Sequence, residues 1–356
     1  MQNTPSRTFL PEQFFPAHSL CFLIHNSLVE LVRSGEKQGI FWHRLSNFDE
    51  AERKQLDAAA DVFEWLELSG RIEERAKVLR TITFPAILSD FLHFIYEALE
   101  TARKAKLNVA YALIRKPLQE NLCLLEIIAA DLERFGSSMA EDPAEMLSHR
   151  GGEVSEHSKR ICTVLEILGE SKRFDAEYIA RLRYDKTAED GFDGICNKAI
   201  HLFTHHRAIH TEPLNINFIF SDWDAKLTQW NLIYSRLPYI LSYAKRLIEH
   251  ICATIIQTDL IYLADIDRRI ASATLLWAPG IEEHYRCQFI EQFVEETRLR
   301  LFQECDAAGY REPGYKDLVR MSSNGSFPGE SRLRVMLRHY HYSAAIRRNL
   351  AAVRQD

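Results

Sequence analysis

Apolar side chains recur along most of this chain at helical spacing, and in two segments they surround the whole helix. The segments are NVAYALIRKPLQENLCLLEIIAADLERF, from Asn108 to Phe135, and WNLIYSRLPYILSYAKRLIEHICATII, from Trp230 to Ile256. A helix that is apolar on every side hides those side chains only inside a large helical protein. Each segment also has a proline two positions after an arginine, which removes a backbone hydrogen bond and kinks a helix. The pattern predicts an all-α fold, a large multi-helix bundle with proline-kinked central helices and little or no β structure.

Turn residues and proline positions predict how the rest of the chain is organised. Residues 1–13 read as a flexible N-terminal tail, and Pro16 is typical of a first helical turn. Residues 14–277 form the predicted main helical domain, with an internal loop at 136–158, where glycine, serine and proline accumulate. We predict that residues 280–356, after a Pro-Gly break, form a C-terminal helical extension that ends in a basic helix.

The composition indicates an ordinary globular protein but does not indicate what it binds. The chain has 356 residues, of which 46% are hydrophobic and 26% charged, as in ordinary globular proteins. The formal net charge of -6 argues against a protein that mainly coats nucleic acid. The seven cysteines include no C-x-x-C pair, which favours reduced thiols. No export signal is recognised, and charged residues interrupt the apolar runs. We therefore expect a cytoplasmic location and no membrane contact.

Three of the charged residues inside the two apolar segments are candidates for burial and would then need partners. Arg115 and Glu120 flank the proline of the first segment, and Arg236 precedes the proline of the second. Burying a charge is costly unless it is paired. One interpretation is a structural network that joins Arg115, Glu120 and Arg236. The alternative is a polar ligand pocket between helices, in which Arg115 grips an anionic ligand with two nitrogens.

Histidines cluster in the segment HLFTHHRAIH, which suggests a metal site. His201 and His205 are four residues apart, and this spacing puts two imidazoles on one face of a helix, as in metal-binding helices. The sequence selects no third ligand, so interior histidines with ordinary hydrogen bonds are the alternative. We predict no cofactor, and a metal-dependent hydrolase built on the His201 to His210 cluster stays as an alternative function.

The long helical layout, with an Arg-Lys-Pro-Leu-Gln-Glu element from Arg115 to Glu120, resembles bacterial helical proteins distantly similar to the HEPN superfamily. That superfamily includes abortive-infection and toxin ribonucleases, whose nuclease members carry an arginine, four to six residues and then a histidine. Arg150 and His157 fit this spacing, and so do Arg334 and His339. The resemblance implies metal-independent RNA cleavage.

In such a ribonuclease the histidine would act as general base on the ribose 2'-hydroxyl, and the arginine would stabilise the developing phosphoryl charge. The family has a polar residue directly after the arginine, where this chain has Gly151 and Val335.

The C-terminal segment supplies a basic surface for nucleic acid or another anion. The candidate contacts are Arg332, Arg338, Arg347 and Arg348. A basic helix of this kind can follow a phosphate backbone, which makes RNA a candidate partner. It can equally dock on the acidic body of its own protein.

From the residues alone, we expect a helical interaction or ligand-sensing protein, with bacterial stress or phage defence as its setting. A protein partner or self-association is part of this expectation. The alternatives are a metal-independent HEPN-like ribonuclease and the metal-dependent hydrolase, so the sequence leaves open whether the chain is an enzyme.

Overall fold

The computed structural model describes residues 8–43, 45, 49–131, 134–136, 138, 152–199, 221–255 and 258–341. Over these residues the backbone consists of helices joined by turns, with no strand. The predicted all-α, multi-helix fold is therefore confirmed.

The helices follow one another in two halves. After a 3₁₀ turn at Glu12–Phe14, the first half contains α1 (Phe15–Lys37), α2 (Glu50–Ala58), α3 (Val62–Leu68), α4 (Ile72–Arg103), α5 (Leu107–Lys116), a π-helical turn (Pro117–Asn121) and α6 (Leu122–Ala130). The second half contains α7 (Val154–Leu168), α8 (Ala176–Tyr184), α9 (Phe192–Ala199), α10 (Trp223–Ile255), α11 (Leu260–Trp277), two 3₁₀ turns (Ala278–Gly280 and Glu283–Tyr285), α12 (Gln288–Ala307) and α13 (Tyr315–Asn324). Residues 332–341 are again helical.

Helix α10 lies at the centre of the fold. Every residue from 229 to 245 is buried, as expected for a helix that is apolar around its circumference. Buried indoles fix its neighbours: Trp230 Nε1 donates to the Ala102 carbonyl at 2.9 Å, and Trp277 Nε1 donates to the Tyr234 carbonyl at 2.8 Å. One large apolar cluster includes residues of α1, α4 to α12 and the connecting turns.

The two prolines of the apolar segments have different consequences. Pro117 opens the π-helical turn, in which the Leu122 amide donates to the Pro117 carbonyl five residues back. The Leu118 carbonyl, which would accept from Leu122 in an α-helix, is thereby available to another donor. Pro238 instead lies within an unbroken α10, where the Ser242 hydroxyl donates to the Pro238 carbonyl at 2.8 Å.

Two boundaries differ from the sequence prediction. The Phe9 amide donates to the Arg103 carbonyl at 3.0 Å and Leu10 is buried, so the end of the predicted tail packs on α4. Helix α7 begins at Val154, because Glu153 forms a capping box with Glu156. The last five residues of the predicted internal loop are thus helical.

The C-terminal elements pack directly on the main core. Phe293 of α12 is fully buried against Phe174 and Trp277, with ring centroids 5.3 and 6.5 Å away. A smaller cluster of Leu301, Cys305 and Met321 connects α12 and α13 to α11. These contacts make α12 and α13 part of the same packed body as α11.

Within the described part of the chain, one helix is long and apolar enough to cross a membrane by length and composition. It is α4, Ile72–Arg103. Core helices of globular proteins meet the same criteria, so a single helix of this kind is weak evidence.

Candidate functional site

A polar pocket of about 740 Å³ opens where α8, α10 and the turn before α12 meet. We call it the Arg236 pocket. Its lining comprises Arg181, Asp185, Ala188, Glu189, Asp190, Leu232, Arg236, His284, Tyr285, Arg286 and Cys287. Three arginines and three carboxylates are therefore in the lining. Volumes of about 300 to 1,000 Å³ are typical of small-molecule sites.

Arg236 is the most deeply buried charge of this pocket. Only 4% of its side chain is exposed. Its Nη1 donates to the Tyr285 carbonyl at 2.6 Å. Its Nε is buried without a hydrogen bond and lies 3.5 Å from Asp190 Oδ2. The Nε of this buried guanidinium therefore retains unused capacity to bind an anion.

One carboxylate oxygen of Asp190 makes three contacts at the pocket. Its Oδ2 faces Arg236 Nε at 3.5 Å, Arg181 Nη2 at 3.3 Å and the Tyr178 hydroxyl at 3.4 Å. All three distances are at the long end of the hydrogen-bonding range, where each interaction is weak. Asp190 belongs to the turn between α8 and α9, so its contact with Arg236 connects that turn to α10.

Hydrogen bonds connect Asp190 to Tyr178 and Tyr178 to Cys287. Burial raises the pKa of the Tyr178 phenol, which therefore stays protonated and acts as a donor. Cys287 Sγ lies 3.3 Å from the same hydroxyl. Among the described residues no histidine forms a hydrogen bond with Cys287.

Arg236 was predicted as a pocket residue, and the structure places it apart from Arg115. Arg115 Nε donates to Gln119 at 3.2 Å and lies 4.0 Å from Asp193 Oδ1. Its side chain is 37% exposed, and Glu120 is half-buried. Arg115 contacts Gln119 and Asp193, whereas Arg236 contacts Tyr285 and Asp190, so these contacts of the two arginines share no partner.

A buried charge network does exist on the first apolar segment, but around Glu126. This fully buried carboxylate pairs with Arg183, accepts from Arg160 Nε at 3.0 Å and accepts from the Tyr243 hydroxyl at 3.0 Å. Arg183 Nε also donates at 2.6 Å to the Leu118 carbonyl of the π-helical turn. We call this set the Glu126 network. Sequence reasoning overlooked it, although Glu126 is the one charge in the run LCLLEIIAA.

His157 lies at the edge of the Glu126 network. Its ring stacks on Tyr184 with centroids 3.6 Å apart, and its Nδ1 is 2.8 Å from Arg160 Nη2. Burial and the neighbouring arginines lower the pKa of His157 to about 4. The imidazole is therefore neutral at pH 7. Arg150, its predicted partner in a ribonuclease site, lies outside the described residues.

The second predicted arginine and histidine pair lies on the C-terminal helix at 332–341. Arg334 is exposed, whereas His339 Nε2 lies 3.2 Å from the buried Asp265 Oδ2. Arg338 Nε donates to Asp265 Oδ1 at 2.9 Å, and Arg338 also pairs with Glu330. These contacts attach the basic helix to acidic residues of its own chain.

The other predicted anion-binding and metal-binding residues divide between described and undescribed positions. Arg332 is exposed. Arg347, Arg348, His201 and His205 lie outside the described residues. Among the residues that the structure does describe, no group of three or more histidine, cysteine, aspartate or glutamate side chains is arranged to hold a metal ion.

Comparisons of the chain with protein-family models, with curated proteins and with solved structures found no match.

Proposed function

We propose that this chain is a ligand-sensing protein, whose Arg236 pocket binds a small molecule through an anionic group. The observation that carries the proposal is the buried guanidinium of Arg236, which lines a pocket of about 740 Å³ with its Nε not hydrogen-bonded. A ligand carboxylate or phosphate would give this guanidinium the short, charge-assisted hydrogen bonds that Asp190 does not make.

In the sensing step, the ligand anion and the Asp190 carboxylate compete for the same two arginines. The ligand anion displaces the Asp190 carboxylate from Arg236 and Arg181, whose present contacts with it are 3.5 and 3.3 Å. Release of Asp190 frees the turn at residues 185–191 from α10. A ligand shifts such an equilibrium only by its differential affinity for the two arrangements. Because the ligand must displace Asp190, this carboxylate lowers the apparent affinity of the pocket for the ligand. Removing the negative charge of Asp190 should therefore raise that affinity.

The test measures binding of small carboxylates to the full chain and to pocket variants. Acetate, malonate, citrate and L-glutamate serve as probes in thermal-shift and calorimetric titrations. We expect at least one probe to raise the melting temperature by linkage. Arg181→Met should weaken that probe about tenfold or more, because one charge-assisted hydrogen bond is lost.

Asp190→Asn is the decisive variant, and Glu189→Gln is its matched control. Both neutralise one carboxylate of the same pocket and turn, but only Asp190 contacts Arg236. Asp190→Asn should bind the probe about tenfold more tightly, whereas Glu189→Gln should bind it as the wild type does. Equal affinities in the two variants, or no binding by any probe, would refute the proposal.

A further inference from the structure

A second, smaller cavity lies on another side of α10. It has a volume of about 170 Å³ and is lined by α10, α11, α12 and the loop between α7 and α8. The charged residues of its lining are Arg173, Lys245, Arg246, Asp267, Arg300 and Glu304. Four cationic side chains therefore face two carboxylates in the lining.

Local structure positions the loop that carries Arg173. Helix α7 ends at Gly169, which adopts a left-handed conformation with φ of 65° and turns the chain sharply. Helix α8 begins where the Asp175 side chain accepts from the Tyr178 amide at 2.7 Å, as an aspartate at a helix N-cap commonly does. Between these two caps, Glu170 and Arg173 are held against α10 and α12.

Most of the charges around this cavity already neutralise one another. The buried Glu170 accepts from Arg246 Nε at 2.9 Å and from Arg300 Nη1 at 2.8 Å. Lys245 Nζ lies 2.6 Å from both Glu249 and Asp267. Glu170, Glu249 and Asp267 are therefore each paired with a cation of α10 or α12.

The last lining carboxylate is also engaged by a residue outside the cavity. Glu304 accepts from Arg268 Nη1 at 2.5 Å. The charge of Glu304 is therefore already paired with Arg268.

Arg173 is the exception among these cations. Its Nε donates to the Thr297 hydroxyl at 3.0 Å, and its guanidinium lies 4.9 Å from the Phe293 ring centroid. No carboxylate of the described residues lies within ion-pair distance of it. Desolvation lowers the pKa of Arg173 to about 10, with Arg300 and Arg246 contributing, so the group stays charged at pH 7. Glu170 and Asp267 attract Arg173 at longer range without an ion pair, so its remaining guanidinium N–H groups can bind an added anion.

We propose that this cavity is a binding site for a small tetrahedral oxyanion, with inorganic phosphate as the occupant, held by Arg173 together with Arg246 and Arg300. Arginine is suited to this role because its planar guanidinium presents several donors to phosphate oxygens. A water molecule occupies about 30 Å³ of liquid, so the cavity has room for a small ion and a few waters. It is too small for a nucleotide or other drug-sized ligand. The site is separate from the Arg236 pocket.

The experiment titrates inorganic phosphate into the full chain, with chloride at equal ionic strength as the comparison. Calorimetry and thermal shift should both detect phosphate, and chloride should give no shift. Arg300→Met should weaken phosphate binding about tenfold to a hundredfold, because it removes a charge-assisted donor. Its side chain is 41% exposed, so this variant should still fold. Arg173→Met should abolish the response.

Arg298→Met is the matched control. Arg298 is on the same helix, has a similarly exposed side chain at 40%, and pairs with Glu295 away from the cavity. We expect it to bind phosphate as the wild type does, and Asp190→Asn of the other pocket should do the same. An equal loss in Arg298→Met and Arg300→Met would overturn the proposal, as would the absence of any phosphate binding by the wild type.

Discussion

Replacing Glu126 by glutamine should destabilise the protein more than almost any other isosteric change. Glu126 and Arg183 both have fully buried side chains, and Arg160 is also mostly buried. Glutamine keeps the size of the side chain and an acceptor oxygen for Tyr243. It removes the negative charge, however, and leaves two guanidinium groups uncompensated in the core. Breaking a buried ion pair by removing one partner costs about 3–5 kcal/mol.

This free energy converts to a measurable change in melting temperature. Unfolding entropy is about 2.1 cal/mol/K per residue. For the 356 residues of this chain that is about 0.75 kcal/mol/K, so the expected loss lowers the midpoint by about 4–7 °C. Circular dichroism at the helical signal during heating measures the melting midpoint, and a urea titration measures the free energy of unfolding.

Glu295→Gln is the control for this measurement. It makes the same chemical change in an exposed pair with Arg298 on the surface of α12, and such pairs contribute little to stability. Its midpoint should match the wild type. A Glu126→Gln midpoint equally close to the wild type would refute the reasoning, because the Glu126 network would then contribute no net stability. In addition, combining Glu126→Gln with Arg183→Met should cost less than the sum of the two single variants.

Two further predictions concern acid stability and a close backbone approach. The pKa of His157 is lowered in the folded state to about 4 from an ordinary 6.5, so the unfolded chain takes up the proton first and stability falls as pH decreases from about 6.5 to 4. His157→Phe keeps the ring stacking and should reduce the slope of the unfolding free energy over this window. Part of the slope should remain, because burial also lowers the pKa of His18 to about 4. The exposed His43→Phe should retain the wild-type slope, and equal slopes in the two variants would contradict the assignment. Gly325→Ala should lower the melting temperature more than Gly309→Ala. Both glycines have left-handed φ angles, but a Cβ only at Gly325 would lie 2.5 Å from the Asp265 carboxylate, and equal losses would show that this contact is unimportant.

The sequence predicts the helical architecture because apolar periodicity and burial have the same physical origin. It also predicts the cap at Asp175, since that interaction is local. Arg236 was identifiable as a charge in an apolar helix, but its partner Asp190 is 46 residues earlier in a turn, and spacing along the chain does not reveal such a contact. Glu126 was missed for a related reason. Its helical face depends on the π-helical turn, which a regular helical period does not represent.

That π-helical turn, Pro117–Asn121, has a consequence for insertions and deletions. An α-helix advances by about 100° per residue, so an uninterrupted helix of this sequence would rotate Glu126 away from Arg183. The π-helical turn accommodates one extra residue, so the residues of α6 keep the orientation in which Glu126 faces Arg183. Loss of a single residue within it should leave the two flanking helices in place, whereas the same loss in the middle of α10 would rotate half of a buried helix. This turn is therefore a position where chain length can vary by one residue while the flanking helices keep their facing, with loss of the hydrogen bond from Arg183 to the Leu118 carbonyl.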